Sequence, residues 1–168
     1  MLVTGGAFAA FQRNLVRIMA YGAIAETGFS ILALSLDLRL GIPILFLLIP
    51  ARALGLAVWS LAVSTIQEQA ETMRFGAVQG MLRVLPIAGS SMIIANLSTG
   101  AFPLLAGFPA RLALWESLGR DSIISALWMG IGVIGLLTSA FRSLAVISMA
   151  QEYSGWEIRE SIQQRIML

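Results

Sequence analysis

Long apolar runs separated by short polar segments are the dominant pattern along this chain. A helix that crosses a bilayer needs about 20 apolar residues, because the hydrocarbon layer is about 30 Å thick and each helical residue rises about 1.5 Å. Four runs reach that length, at residues 18–36, 41–66, 84–107 and 122–141. A fifth stretch, residues 1–11, is too short to span and lacks the charged start of a signal peptide, so we interpret it as a truncated span. The pattern predicts an all-α, polytopic transmembrane helix bundle with four full spans plus the truncated N-terminal one.

Arginines are unevenly divided between the two sides of the predicted bundle. If the runs alternate through the bilayer, one side receives Arg13, Arg17, Arg74, Arg83, Arg142, Arg159 and Arg165. The other side receives Arg39 and Arg120, with Arg111 at its margin. Since positive residues concentrate on the cytoplasmic side of membrane proteins, the C terminus is expected in the cytoplasm.

The segment 151–168 differs in character from the transmembrane domain predicted over residues 1–150. Ser154 and Glu157 have the spacing of a helix capping box, and Ile158, Ile162 and Ile166 then recur every four residues on one helical face. This pattern predicts a cytoplasmic amphipathic tail helix. Such a helix either docks a partner subunit or lies in the headgroup layer.

Composition restricts the chemistry that the chain can perform. With 58% hydrophobic residues, 12% charged residues and a mean hydropathy of +0.85, it is too apolar for a soluble domain, in which about 25% of residues are charged. All eleven cationic side chains are arginine, and lysine, histidine and cysteine are absent. The chain therefore lacks the residues for a zinc site, a thiol nucleophile or a histidine-based catalytic triad. The net charge is only +2 and the arginines are scattered along the chain, which argues against nucleic acid as a partner. The chain also lacks a nucleotide-binding fingerprint, so no bound cofactor is expected.

Glu26 lies near the middle of the first full run and is one of two charged residues within the predicted spans. A charge facing lipid costs about 2.5 to 3.5 kcal/mol, so this side chain should face the interior of the bundle. Burial and a nearby cation act in opposite directions on a carboxyl group's affinity for protons, so Glu26 is a candidate proton relay. A fixed Glu–Arg ion pair that locks two helices together explains the residue equally well.

Arg52 is the second charged residue, eleven residues into its run. Pro50 precedes it and removes a backbone donor, so the helix is expected to kink or open just before the charge. Arginine keeps its proton under ordinary conditions, so Arg52 can attract or orient charge but cannot pass a proton on.

The third full run contains the strongest predicted helix break. Polar side chains are followed there by alternating glycines and prolines, a pattern formed by Asn96, Ser98, Thr99, Gly100, Pro103 and Gly107. Such a segment at membrane depth predicts a discontinuous helix lining a polar cavity, and broken helices of this kind often carry ion sites. The alternative is a proline-kinked structural helix whose freed carbonyls are satisfied by Ser98 and Thr99.

Three stretches resemble the antiporter-like membrane subunits of respiratory complex I and the related Mrp-type cation/proton antiporters. Residues 8–29 are similar to the family segment ALxQxDLKRLLAYSSIxHxGY, and residues 50–56 are similar, more weakly, to HAxxKALLF. Residues 82–86 together with 100–111 resemble LARRMP followed by LAGLPPLAGFxxK, the most specific match. Residues 139–142 are similar to the start of SAxYYLR. All of these motifs belong to the second of the family's two inverted five-helix repeats.

The resemblance implies a membrane subunit of a proton-translocating NADH:quinone oxidoreductase-type complex, in the bacterial inner membrane, that works with other membrane subunits, while the redox chemistry resides in partner subunits. Two alternatives remain open: a non-conducting structural or truncated fragment of such a subunit, and an Mrp-type Na⁺/H⁺ antiporter component. The family's intramembrane lysines correspond here to Arg52 and Arg111, and Glu26 stands where the family has histidine or glutamine. The resemblance thus leaves Glu26 as the titratable group within a span, with the two arginines as fixed charges beside a proton path that includes Asn96, Ser98 and Thr99.

Overall fold

The computed structural model describes residues 1–149, which form a bundle of helices. Seven helices follow one another: α1 (Leu2–Phe11), α2 (Leu15–Leu34), α3 (Leu38–Gln69), α4 (Met81–Val84), α5 (Pro86–Thr99), α6 (Phe108–Asp121) and α7 (Ile123–Ser148). The described part contains no strand, although a single antiparallel β-bridge pairs Asn14 with Arg74. The all-α prediction is confirmed. The tail helix predicted for 151–168 lies outside the described residues.

Within residues 1–149, three helices are long and apolar enough to cross a membrane, namely α2, α3 and α7. They correspond to the first, second and fourth predicted runs. In the third run, the helix α5 ends at Thr99, inside the cluster of glycines and prolines that predicted a break, and the next helix, α6, begins only at Phe108. Residues 100–107 connect the two half-helices and are called the break loop below. The stretch interpreted as a truncated span forms the ten-residue helix α1.

Helix α6 corrects the sequence interpretation, which assigned its residues to a polar connection between two runs. Ala110, Leu114 and Leu118 recur every four residues and are all buried, whereas Glu116 and Arg120 are exposed and pair at 2.5 Å. This is an amphipathic helix. Its polar face lowers the average hydropathy, so a search for continuous apolar runs cannot detect it.

Opening of the helix at Pro50, one of the two expected outcomes, does not occur, because α3 continues through it. The helix contains two prolines, Pro43 and Pro50, within 32 residues. Each proline removes one backbone hydrogen bond. The many remaining bonds of a long apolar helix are costly to break in lipid, where no water can replace them, so the helix persists.

Glycines bring α1 into close contact with both of its neighbours. A Cβ atom on Gly6 of α1 would overlap the backbone of Gly132 in α7, and a Cβ on Gly28 of α2 would lie 2.6 Å from the backbone nitrogen of Leu2. Close backbone approach of this kind is a common way of packing transmembrane helices. Helix α5 packs in turn against α3 and α7, and α6 against α7 and α3.

The outer face of the bundle is apolar. Large side chains on α3 and α7 point away from the other helices, with Phe46 and Leu54 each 69% exposed and Trp128 56% exposed. A soluble monomer rarely exposes such a large apolar surface, whereas lipid tails cover it without cost.

Candidate functional site

A buried ion pair joins two helices at the centre of the bundle. Arg111, in the first turn of α6, donates from Nη2 to the Oε1 atom of Glu26 in α2. The two side chains are only 2% and 4% exposed. Glu26 therefore faces the interior, as predicted. Arg111, which the sequence placed at the margin of the membrane, is instead buried, because the break loop folds the start of α6 back into the bundle.

The same guanidinium group holds the end of α5. Its Nη1 atom donates to the Ser98 carbonyl at 2.7 Å, and its Cζ atom lies 4.8 Å from the centre of the Phe29 ring. The last carbonyls of a helix have no partner within the helix, so a cation at this position is stabilising. Arg111 thus links a carboxylate, an aromatic ring and the interrupted end of a helix.

A hydrogen bond fixes the break loop to the end of α5, and the last turn of α5 carries a side-chain hydrogen bond of its own. The backbone N–H of Gly107 donates to Ser98 Oγ at 3.2 Å, and Thr99 Oγ1 donates to the Ala95 carbonyl at 3.1 Å. Within the loop, Ala101 and Leu104 adopt positive φ angles of 57° and 74°, which cost energy for residues other than glycine. The loop is therefore a defined turn rather than a distorted helix.

Gly107 gives Arg111 its space. A side chain at this position would overlap the Arg111 guanidinium group and approach the Ser98 carbonyl. The backbone φ of Gly107 is −73°, so glycine is needed here for its size and not for its conformation. The sequence identified Gly107 only as a helix-breaking residue, and its contact with Arg111 was missed.

Asn96 lies one turn before the break and is completely buried. Neither its amide nitrogen nor its amide oxygen has a hydrogen-bond partner among residues 1–149, and the same is true of Arg111 Nε. Buried polar groups are nearly always paired with protein atoms or ordered water. These three atoms are therefore buried hydrogen-bonding groups that residues 1–149 leave open for water or for another partner.

Arg52 is half-buried and approaches the ion pair from α3. Its guanidinium group donates to Thr27 Oγ1 at 3.0 Å and to Ser30 Oγ at 3.5 Å, and it interacts electrostatically with Glu26. Thr27 and Ser30 lie one and four residues after Glu26 on α2. A second fixed positive charge thus faces the carboxylate from another helix.

The structure brings together most, but not all, of the predicted site residues. Glu26, Arg111, Ser98, Thr99 and Arg52 form one continuous set of contacts and charge interactions. Pro50 and Pro103 are exposed, and neither forms a hydrogen bond with a charged group of this set. Residues 1–149 contain no group of three or more acidic side chains that could hold a metal ion.

Three contributing residues were missed at the sequence level: Phe29, Thr27 and Ser30. Each lies within four residues of Glu26 on α2. The helical period could have identified Ser30, because it lies one turn after Glu26 on the same face. Which arginine they meet depends on tertiary packing, which the period does not give.

Comparison with known proteins identifies the family. Residues 1–141 match the family described as NADH:quinone oxidoreductase/Mrp antiporter, transmembrane. NADH-ubiquinone oxidoreductase chain 5 of Cryphonectria parasitica is 29% identical over 138 residues, covering 82% of this chain and 21% of its own. NADH-quinone oxidoreductase subunit N of Chlorobium chlorochromatii is 25% identical over 139 residues, covering 82% of this chain and 26% of its own. The chain therefore spans about a fifth to a quarter of the length of these curated relatives.

Two solved structures share the fold. A chain of the membrane-bound sulfane sulfur reductase, an archaeal respiratory membrane complex, superimposes with a TM-score of 0.81 at 18% identity, over 99% of this chain and 35% of its own. A chain of respiratory complex I from Thermus thermophilus superimposes with a TM-score of 0.65 at 22% identity, over 99% of this chain and 38% of its own. With its apolar spans, this is an integral membrane protein. It belongs to the transmembrane family of NADH:quinone oxidoreductase and Mrp antiporter subunits.

Proposed function

We propose that the chain is a membrane subunit of a proton-translocating NADH:quinone oxidoreductase-type complex and contributes part of a proton path. The observation that carries this proposal is the buried Glu26–Arg111 pair at the interrupted helix. A proton path through a membrane needs a titratable group away from lipid, and Glu26 is such a group. Other membrane subunits are its expected partners, and the redox chemistry is expected in partner subunits of the complex.

In this proposal, Glu26 exchanges the proton and the arginines control when it does so. Arg111 and Arg52 keep their charge, so they are the fixed positive charges that Glu26 faces. When Glu26 accepts a proton, its Coulombic attraction to Arg111 is lost, while the hydrogen bond from Arg111 to Ser98 is unaffected by that charge. Proton uptake thus changes the balance of forces at the start of α6.

Asn96 extends the polar surface away from the ion pair. Its unpaired amide, together with Ser98 and Thr99, offers hydrogen-bonding atoms along the last turn of α5. Water bound there would connect Glu26 to the break loop, so these side chains are proposed as the path itself. The bacterial inner membrane is the proposed location, with the C terminus in the cytoplasm, because arginine is concentrated at that end of the bundle.

The experiment is proton uptake by vesicles that contain the complex purified through a tag on this chain. We expect Glu26→Gln to lower the initial rate of NADH-driven uptake at least tenfold, because glutamine keeps the shape and cannot exchange a proton. Glu116→Gln removes an exposed carboxylate of α6 and is the matched control, which should pump normally. Unchanged pumping by Glu26→Gln would contradict the relay.

One observation favours a second candidate, a non-conducting structural subunit. In this second candidate, the deeply buried Glu26–Arg111 pair holds α2 and α6 together and carries no proton. On that hypothesis Glu26→Gln assembles poorly but pumps normally per assembled complex. Uptake that requires Na⁺ and not NADH would instead indicate an Mrp-type antiporter component.

A further inference from the structure

A second polar site lies at the end of the bundle where α1 ends and α2 begins. A cleft of about 600 Å³ opens between the segment that joins these helices and the segment that follows α3. Arg13, Arg17 and Arg74 line it, and all three side chains are exposed. No acidic residue lines the cleft, so its charge is strongly positive.

The backbone of the cleft is held in a fixed shape. The two segments pair through the Asn14–Arg74 bridge, with Leu15 N–H donating to the Met73 carbonyl at 3.0 Å and Phe75 N–H donating to the Arg13 carbonyl at 2.9 Å. Arg142 of α7 fastens the same region, because it donates to the Ala10 carbonyl and its Cζ lies 5.6 Å from the centre of the Phe75 ring. The arginines of the cleft are thus presented from a rigid base.

The guanidinium groups of the cleft lack anionic partners within the described chain. None of the three forms an ion pair or a side-chain hydrogen bond with a residue of 1–149. The cleft at the opposite end provides the contrast, since its two arginines, Arg39 and Arg120, are accompanied by Glu116 and Asp121. Three uncompensated cations around one cavity are the arrangement expected of an anion site, because a guanidinium group matches the geometry of phosphate oxygens.

The surroundings of the cleft indicate where the anion comes from. Phe11 lines the cleft and is 80% exposed, and Phe8, one turn deeper on α1, is 54% exposed. The two rings therefore make an apolar strip that descends from the arginines along the outside of the bundle. A phospholipid has the matching chemistry, with an anionic phosphate at the surface and acyl chains below it.

We propose that this cleft binds the phosphodiester headgroup of an anionic phospholipid, whose acyl chain lies along Phe8 and Phe11. The test titrates dihexanoyl phosphatidylglycerol into the full chain in neutral detergent and measures the bound fraction by native mass spectrometry. Dihexanoyl phosphatidylcholine, inorganic phosphate and a tetraglutamate peptide are titrated in parallel. Saturable binding of phosphatidylglycerol, with at least tenfold weaker binding of the other three, is the expected result.

Two double glutamine variants locate the binding site, and a double lysine variant serves as a control for folding. Arg13→Gln with Arg74→Gln should weaken phosphatidylglycerol binding about 30-fold, because each arginine near an anionic headgroup contributes about a factor of five. Arg39→Gln with Arg120→Gln changes the net charge equally at the other cleft and should bind normally. Arg13→Lys with Arg74→Lys keeps the charge and should retain most of the affinity, which separates lost charge from a damaged fold.

Four results would overturn the proposal. Equal losses in the two glutamine pairs would show a general charge effect, and no loss in the Arg13/Arg74 pair would place the lipid elsewhere. Phosphate binding as tight as lipid binding would indicate a site for a free ion. Tighter binding of the acidic peptide would indicate a protein partner.

Discussion

Arg111 of α6 and Glu26 of α2 form an ion pair that is almost fully shielded from the surroundings, and they are 85 residues apart in the sequence. The pair fastens a half-helix, which is too short to span a membrane, to a helix that spans it. Its contribution to stability and its contribution to proton transfer can be measured separately.

Removing one partner of the pair should destabilise the protein more than removing both. Arg111→Met removes the ion-pair partner of Glu26 and one of the donors to the Ser98 carbonyl, and we expect a loss of about 3 kcal/mol in the free energy of unfolding. The double variant Arg111→Met with Glu26→Gln should recover at least half of that loss, because the buried carboxylate that lost its ion-pair partner is then also removed. Unfolding in detergent mixtures, followed by circular dichroism, gives these values. Strictly additive losses would contradict coupling between the two residues.

Gly107→Ala should displace Arg111, because the added methyl group would occupy the position of the guanidinium group. We expect a loss of about 1 to 3 kcal/mol, typical of overpacking a filled interior. Gly119→Ala in the same half-helix is the matched control, since nothing lies within 4 Å of a Cβ there. That control should be unchanged or more stable by up to about 1 kcal/mol, because alanine favours a helix. Equal behaviour of the two variants would show that Gly107 is not needed for space.

Asn96→Leu should separate stability from function. The buried amide has no partner among the described residues, so an apolar side chain of similar size should leave the free energy of unfolding unchanged or raise it by about 1 kcal/mol. If the amide holds water in the proton path, the rate of NADH-driven proton uptake should fall at least fivefold. Met92→Leu, one turn earlier on the same helix and equally buried, should affect neither quantity. Normal uptake by Asn96→Leu would remove this residue from the path.

Gly6→Ala tests the contact between α1 and α7. A methyl group on Gly6 would overlap the backbone of Gly132, which cannot move as a side chain can, so we expect a loss of about 2 to 3 kcal/mol. Gly55→Ala on α3 meets no atom within 4 Å and should be neutral or stabilising. Comparison of the two thermal unfolding curves checks the prediction. A neutral Gly6→Ala would mean that α1 can shift along α7 without cost.

The spanning helices could be predicted from the sequence because their signal is local. A continuous apolar run of sufficient length identifies α2, α3 and α7, and a cluster of glycine and proline identifies the break. The search for continuous apolar runs did not identify α6, because its buried positions alternate with charged ones and its average hydropathy is low. Buried apolar residues recur every four positions at Ala110, Leu114 and Leu118. This periodicity indicates an amphipathic helix, which the average hydropathy does not detect.

The partners of Glu26 could not be predicted in the same way. The chain has two intramembrane arginines, and the sequence does not say which one reaches the carboxylate. The answer depends on how far the break loop turns, which is set by the positive φ angles of Ala101 and Leu104, two residues that do not usually adopt them. The arginine cleft could not be predicted for a related reason. The Asn14–Arg74 bridge joins two irregular segments, and irregular segments have no periodic sequence pattern.

The bridge between Asn14 and Arg74 has a mechanical consequence for the rest of the bundle. Helices α2 and α3 are joined at one end by the short turn from Ser35 to Asp37, where Leu36 N–H donates to the Ala33 carbonyl at 3.3 Å, and at the other end by the bridge. Fastening at both ends restricts the movement of one helix of this pair against the other. We therefore expect α6, with the break loop as its hinge, to take up the displacement that follows a change of charge on Glu26.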